Sequence, residues 1–454
     1  MPRTGTGKER VILFMDRIEK ALTAPLTDEE KASGLYAPPP PSRIFFKGTL
    51  SDAHKFYQQT TPIENGRGCP MAKYTDGLPI VVPTEERVKE MLIGTSHSPG
   101  EVIKYFSDVS GTALYRAAHI SGHVAGKKGE TVTYSGAYRT TVEKVATVAV
   151  MAGCKSEDLP VALAIATAGG GSTACPLTSG PDMWAYAVSG PIAKEIGMNV
   201  GQGAFDVGNP ANNCLGRSAA LMTINFGNCI TGIARTAGGN PVNKGLCFAE
   251  DEEGLPPGWE TLREDKGNYG KDESMLVRFG HPFMRMTMGE YAPSSFRGLI
   301  GEGYGGMARR MGVEGIPGPH NFLEYVCPLL IPSGANVCLG YVTFVMSPNM
   351  AKSLYEYGFK KKADVYKWLW EAYFITHAEL KKYGWYDFIT GAGEKIEPIS
   401  GQKYKDLPDD HELHVFGVEG PEENCIIVSN GFSDEVCYSF QGATYTVYPI
   451  DVWR

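Results

Sequence analysis

A cysteine lies six residues beyond the start of a triple glycine in Gly169-Gly170-Gly171-Ser172-Thr173-Ala174-Cys175-Pro176. Glycine lets a backbone approach a ligand closely and turn its N–H groups toward an anion. In that reading Gly170, Gly171 and Ser172 cradle an oxyanion and Cys175 attacks as nucleophile. In the plainer reading the glycines form a flexible connection and Cys175 is a buried, inert thiol. No Gly-Lys-Ser/Thr follows, so this is not a Walker A phosphate loop. A second run, Gly208-Asn209-Pro210-Ala211-Asn212-Asn213-Cys214, has the letters of a helix start, with Asn209 as cap and Pro210 in the first helical position. Free amides at such an end, together with the Asn212 and Asn213 carboxamides, suit a carboxylate, a phosphate or a developing negative charge. They would hold it beside a second candidate thiol, Cys214. A structural cap explains Asn209 and Pro210 but leaves the asparagine pair over. Gly227-Asn228-Cys229 and Gly238-Gly239-Asn240 repeat the composition. So many glycines and asparagines within residues 169–240 cost chain entropy unless the backbone has a task.

Two sparser patterns offer other chemistry. His119 and His123, spaced i, i+4, would put both imidazoles on one helix face, as a transition-metal site requires. Gly122, Gly126 and Gly129 weaken a helix there, and the glutamate of a zinc protease is missing, so hydrogen-bonded or solvated histidines are the alternative. Glu143 sits in an otherwise apolar helical stretch. It would act as a general acid or base if burial raises its pKa, or else simply mark a helix start. Gly301-Glu302-Gly303-Tyr304-Gly305-Gly306 has the letters of a dinucleotide loop without a preceding strand. The sequence demands no cofactor, and a transition metal is the one candidate.

The elements that must position these groups are legible from periodicity. Thr84 caps a helix with Glu85, Glu86 and Glu90 following. From Thr140 onward Val142, Val145, Ala146, Ala149 and Val150 share one helical face, and Gly153 is suited to the turn that ends it. Residues 157–168 form a nearly all-apolar helix that must be buried on most sides. Residues 184–188 suit a buried strand, Ser189-Gly190-Pro191 turns into a helix, and 210–225 suits another. Residues 414–418, 425–429 and 445–450 read as strands. One internal echo pairs Ser189-Gly190-Pro191-Ile192-Ala193-Lys194 with Ser347-Pro348-Asn349-Met350-Ala351-Lys352, each following an apolar run. The expectation is an α/β fold of two α/β domains with mixed sheets, pseudo-duplicated if the echo is real. Residues 1–61 would be an N-terminal arm with a polyproline spacer at 38–41, and a short helix at 10–22. The first domain would span 62–250 and the second 276–454, joined by an acidic linker or surface excursion at 251–275.

Composition narrows the partners. The chain has 454 residues, more than one ordinary core, with 43% hydrophobic and 21% charged residues, which is globular. A net charge of −8 argues against nucleic acid. The longest basic run, Lys360-Lys361-Lys362, reads as a solvated helix face. Residues 11–15 are too short for a signal peptide core, and the apolar stretch 322–346 contains Glu324, two prolines and Gly334, so no membrane span is expected. Ten cysteines with no CxxC spacing suggest reduced thiols in a cytoplasm, although an even count leaves a disulfide framework open.

A family resemblance rests on Tyr74-Thr75-Asp76-Gly77-Leu78-Pro79-Ile80-Val81-Val82-Pro83-Thr84, on Thr141-Val142-Glu143-Lys144-Val145-Ala146 and on Met151-Ala152-Gly153-Cys154. With these motifs the chain resembles the large, mostly uncharacterised bacterial proteins grouped as the UGSC-type thiol/selenol family. The likeness runs through Gly190-Pro191-Ile192-Ala193 into the C-terminal strands, over residues 70–454. The family is named for a selenocysteine- or cysteine-Gly-Ser-Cys element carried by a separate domain or small partner. No Gly-Ser-Cys occurs in this chain, so the resemblance points to a thiol supplied by another subunit and carries over no reaction or catalytic residues.

The leading expectation is a cytoplasmic, homo-oligomeric enzyme for a small anionic or carbonyl-bearing substrate, with Cys175 or Cys214 as reactive group and Glu143 as a further catalytic candidate. Lyase, hydrolase and redox chemistry all stay open. A metalloenzyme built on His119 and His123, and a non-catalytic subunit with a small thiol-bearing protein partner, are the alternatives.

Overall fold

The computed structural model describes residues 43–62, 68–103, 140–168, 183–226, 245–281, 288–291, 342–372, 374–382, 386–417, 420–429, 437–441 and 445–454, with a few residues before 43. Residues 1–49 make one compact unit and residues 50–454 another. In the first, 43–49 is largely exposed chain without regular structure. The spacer at 38–41 and nearly all of the expected helix at 10–22 lie outside the described residues.

The larger unit is α/β. It begins with α1 (Leu50–Tyr57) and the antiparallel pair β1 (Thr60–Pro62) and β2 (Pro70–Ala72). Thr84 caps α2 (Glu85–Met91) by accepting from the Arg87 N–H. Thr141 does the same for Lys144 at the start of α3 (Val142–Ala152), whose apolar face is fully buried. The helix stops at Gly153, whose φ of 90° is left-handed and open to glycine at little cost. Every residue of α4 (Leu159–Thr167) is buried, as its uniformly apolar sequence requires. Then follow β3 (Met183–Ser189), the short α5 (Ile192–Glu195), α6 (Pro210–Asn225), β4 (Leu246–Ala249) and α7 (Leu262–Gly267). Next come β5 (Met275–His281), β6 (Met288–Tyr291), β7 (Val342–Met346), α8 (Pro348–Tyr357) and α9 (Lys362–Ala372). A small antiparallel pair, β8 (Phe374–Thr376) and β9 (Glu412–His414), precedes β10 (Cys425–Val428), β11 (Cys437–Gln441) and β12 (Tyr445–Pro449).

The two four-stranded sheets are wired alike. In one the order is β12-β5-β3-β4, in the other β6-β11-β7-β10. β4 runs parallel to β3, which pairs antiparallel with β5, and β5 with β12. β10 likewise runs parallel to β7, which pairs antiparallel with β11, and β11 with β6. The Ser189 and Ser347 turns of the sequence echo follow the matching strands β3 and β7, and Ser347 caps α8 through the Met350 N–H. The fourth strands are exchanged: β6 follows β5 in the chain but closes the other sheet, and β12 closes the sheet of β3. A division at residue 250 therefore cuts through one sheet: β3 and β4 lie before it and β5 and β12 after it, whereas all four strands of the other sheet lie beyond it.

Alternation along the strands builds the layers. Ala185, Ala187, Phe248, Val277, Phe279 and Val447 of one sheet meet Val345, Cys425 and Ile427 of the other in a shared core. On the opposite face of the first sheet Tyr186, Val188, Cys247, Ala249, Leu276 and Tyr448 pack under α3, α4 and α6. On the opposite face of the second, Val342, Phe344, Met346, Ile426 and Val428 pack under α8 and α9. Covered on both faces, β10 reads as an unbroken apolar run, and β7 as one interrupted only by the buried Thr343.

Residues 251–275 are no linker. Trp259, Leu262, Arg263, Lys266 and Tyr269 are buried, and this segment forms a polar clasp at the ends of β3 and β4. Lys362, expected on a solvated helix face, is instead buried and paired with Glu250 at 3.1 Å. The Ser189 hydroxyl and the Leu262 N–H donate to Glu250 as well, at 2.8 and 2.6 Å. Arg263 holds Glu252 with two bonds, at 2.9 and 3.0 Å. The register of α9 thus decides the matter: its apolar face must reach the sheet, and Lys362 goes with it. Among the described residues no helix is long and apolar enough to cross a membrane.

Candidate functional site

Three acidic side chains meet where α3 ends, α4 begins and α6 passes over them. The left-handed Gly153 turns the chain so that Cys154 N–H still bonds back to Ala149 O. A single 3-10 turn (Ser156–Asp158) follows, and its geometry fixes the carboxylate: Lys155 N–H donates to Asp158 Oδ2 at 2.7 Å, while Asp158 N–H donates to Lys155 O. From above, α6 presents Cys214, buried beside Ala211 and Leu215. The helix can lie so low because Gly216 touches the Gly245 backbone, where a Cβ would collide with the carbonyl. This contact also seats α6 on β4 and its Cys247.

The result is a compact donor set. The sulfurs of Cys154 and Cys214 and a carboxylate oxygen of Asp158 all lie within 4.8 Å of one another, and all three groups are buried. Cys154 as a whole residue keeps partial exposure. The Cys214 thiol has a single proton to give, to Asp158 Oδ2 at 3.5 Å or to Ala211 O at 3.4 Å.

Burial sets the electrostatics. It pushes the Cys154 thiol well above the ordinary thiol range, with the neighbouring Cys214, Asp158 and Cys247 adding to the shift. Burial raises the Asp158 carboxyl too, against the Lys155 N–H and the Cys214 thiol that bond to its charged form. Cys247, on the sheet beneath, is raised by burial and by the charges of Cys214 and Asp158. Asp158 has no ion pair among the described residues, and the charge of the exposed Lys155 is the weakest influence on it. Cys154, Asp158 and Cys247 are thus each held toward the protonated form.

Of the residues expected at a site, Cys214 alone joins this cluster. Cys175, Gly170, Gly171 and Ser172 lie outside the described residues, as do His119 and His123. The three asparagines are bonded within their own loop and helix start. Asn209 Nδ2 donates to Gly203 O and Asp206 O, and Asn213 Nδ2 to Asp206 O and Asn209 O. Asn212, buried, accepts from Asn199 N–H and donates to Asn199 O and Ala204 O. Their spacing reflects the need to pin residues 199–206 against the start of α6. Glu143 stands in the first turn of α3, the position favoured by the helix dipole, apart from the donor set.

Cys154 and Asp158 were not legible as partners of Cys214. The one signal is that an all-apolar helix begins at an aspartate that ends up buried, and a buried carboxylate needs a reason. No family model, no curated protein and no solved structure matches the chain.

Proposed function

We propose that the chain is an enzyme acting on a small molecule at the thiols of Cys154 and Cys214 and the carboxylate of Asp158. The observation that carries this reading is the convergence itself. Two segments far apart in the chain, the connection between α3 and α4 and the start of α6, bring nucleophile- and base-type groups to one buried spot in a helix layer. A thiol needs a neighbouring base to become a nucleophile, and Asp158 Oδ2 stands where it can take the Cys214 proton. A carboxyl raised by burial is a better base than an ordinary one. Cys154 is the member of the cluster that keeps partial exposure as a residue. An anionic or carbonyl-bearing substrate suits thiol attack, and membership of the UGSC-type family, with its thiol chemistry, belongs to the same proposal.

The test is the reactivity of the folded protein. Iodoacetamide, with each thiol followed by peptide mapping, should alkylate Cys214 faster in the natural protein than in Asp158→Asn, by about tenfold or more for loss of a general base. Equal rates in the two proteins would remove Asp158 from the chemistry and the reading with it.

A further inference from the structure

The same three side chains are the right kind, number and spacing for a cation. We infer that Cys154, Asp158 and Cys214 form a three-ligand site for a thiophilic divalent ion of the zinc class, with a fourth position open toward the substrate. The inference rests on the reading of this cluster as the reaction centre and names the cofactor that works there.

Geometry comes first. Zinc–sulfur bonds of about 2.3 Å and zinc–oxygen bonds of about 2.0 Å, set at tetrahedral angles, place a sulfur and an oxygen about 3.5 Å apart and two sulfurs about 3.8 Å apart. Cys214 Sγ and Asp158 Oδ2 are 3.5 Å apart, and all three donor atoms lie within 4.8 Å of one another. Closure onto an ion needs only rotamer-scale adjustment. Donor chemistry comes second. Two sulfurs exclude magnesium and calcium as preferred occupants and favour zinc-class ions. The outer shell comes third: the Lys155 N–H already orients the Asp158 carboxylate, as such partners do at metal centres. Cys247 feels the charges of Cys214 and Asp158 but lies outside the group of three, so it is not counted as a ligand.

Charge supplies the driving force. Without an ion, two thiols and a carboxylate crowd one another, whereas a doubly charged cation turns that crowding into attraction. On loading, the ion displaces the two thiol protons to water and forms two metal–sulfur bonds and one metal–oxygen bond. No electron changes hands. Three protein ligands leave a tetrahedral ion one free position, the arrangement of catalytic rather than structural zinc. That position takes a carbonyl or anionic oxygen of the substrate and polarises it. This matches a small carbonyl-bearing or anionic substrate without calling on the asparagines, which the loop occupies.

The experiment is a titration of the full chain, stripped with a chelator under reducing conditions, with cobalt(II) as the spectroscopic probe. The inference expects saturation at one cobalt per chain, intense near-ultraviolet thiolate-to-cobalt charge transfer and the visible bands of a tetrahedral ion. The charge transfer should fall to about half in Cys214→Ser, vanish in Cys154→Ser/Cys214→Ser, and persist in Cys247→Val. Zinc added to the natural protein should protect Cys154 and Cys214 from iodoacetamide, a readout that involves no variant and no question of folding. Absence of saturable cobalt binding, or binding unchanged in the double variant, overturns the inference. If cobalt fails to bind while Asp158-dependent alkylation persists, the metal falls and the thiol centre stands; if both fail, both readings fall.

Discussion

Cys247 in β4 and Glu250 just past its end mark two buried polar clusters that are built on opposite principles. Around Glu250 every charge has its counterpart: Lys362 at 3.1 Å, two hydrogen bonds from Ser189 and Leu262, and Arg263 closing on the adjacent Glu252. Burial raises the Glu250 carboxyl against the pull of Lys362; at Lys362 burial pulls downward, and Glu250, Asp265 and Cys425 together more than offset it, so the amine is raised. The pair is an ion pair held by its neighbours. Around Cys214 the groups are all acids, with no ion pair for Asp158 among the described residues. Full compensation is what a structural clasp needs, since a buried charge without its partner is costly. Incomplete compensation is what a centre needs if a proton must leave or a cation must enter. Buried polarity alone does not point to function; what completes it does.

The comparison breaks most visibly at Lys362. Lys362→Met strands Glu250 and should lower unfolding free energy by about 3–5 kcal/mol, while the Glu250→Gln/Lys362→Met pair should recover much of that loss; urea unfolding followed by circular dichroism measures both. A single-variant loss below about 1 kcal/mol would mean that compensation is not what the clasp supplies. At the other cluster, zinc at a hundredfold excess over its dissociation constant should raise stability by about 2.7 kcal/mol, and by nothing in Cys154→Ser/Cys214→Ser. A differential thermal scan reads that contrast.

Acidity sharpens the contrast further. The folded Asp158 carboxyl is raised above its ordinary value of 3.8 by burial. Its contribution to stability is therefore complete below that value and lost as pH rises through the folded one. The chelator-treated protein should lose stability across this window to a greater extent than Asp158→Asn, as urea midpoints at a series of pH values would show; identical profiles would remove the burial effect at Asp158. The smallest effect is expected from Cys247→Val, a nearly volume-conserving change costing under about 1.5 kcal/mol. A larger loss would give Cys247 a part in the cluster that its position does not suggest.

Much of the architecture could be read from local pattern because local rules decide it. α6 begins at Pro210 and ends at Asn225 as the residue types predict, and α3 ends at Gly153 because only a left-handed residue closes that turn. The Ser189 and Ser347 echo marks matching turns after β3 and β7. The exchange of β6 and β12 was invisible, since strand pairing between residues 288 and 440 leaves no trace in periodicity. Residues 251–275 looked like a linker because charge and proline suggest surface, yet Arg263 and Lys266 find partners inside. The site was half visible for the same reason. Cys214 stood out beside glycine and asparagine, but those neighbours turn out to brace a loop. Cys154 and Asp158 reach Cys214 only because α3, α4 and α6 pack together, a proximity set by tertiary structure.

A single labelling measurement sets the two clusters against each other. Cys425 is a buried thiol beside the Glu250 clasp, its pKa pushed up to about 12 by burial, and it serves as the internal reference. When the native, metal-free protein is treated with iodoacetamide and its peptides are mapped over time, Cys154 and Cys214 should be modified well ahead of Cys425 and ahead of global unfolding. If all three thiols acquire label together, at the rate at which the whole protein opens, the Cys154–Asp158–Cys214 cluster is as inert as the clasp.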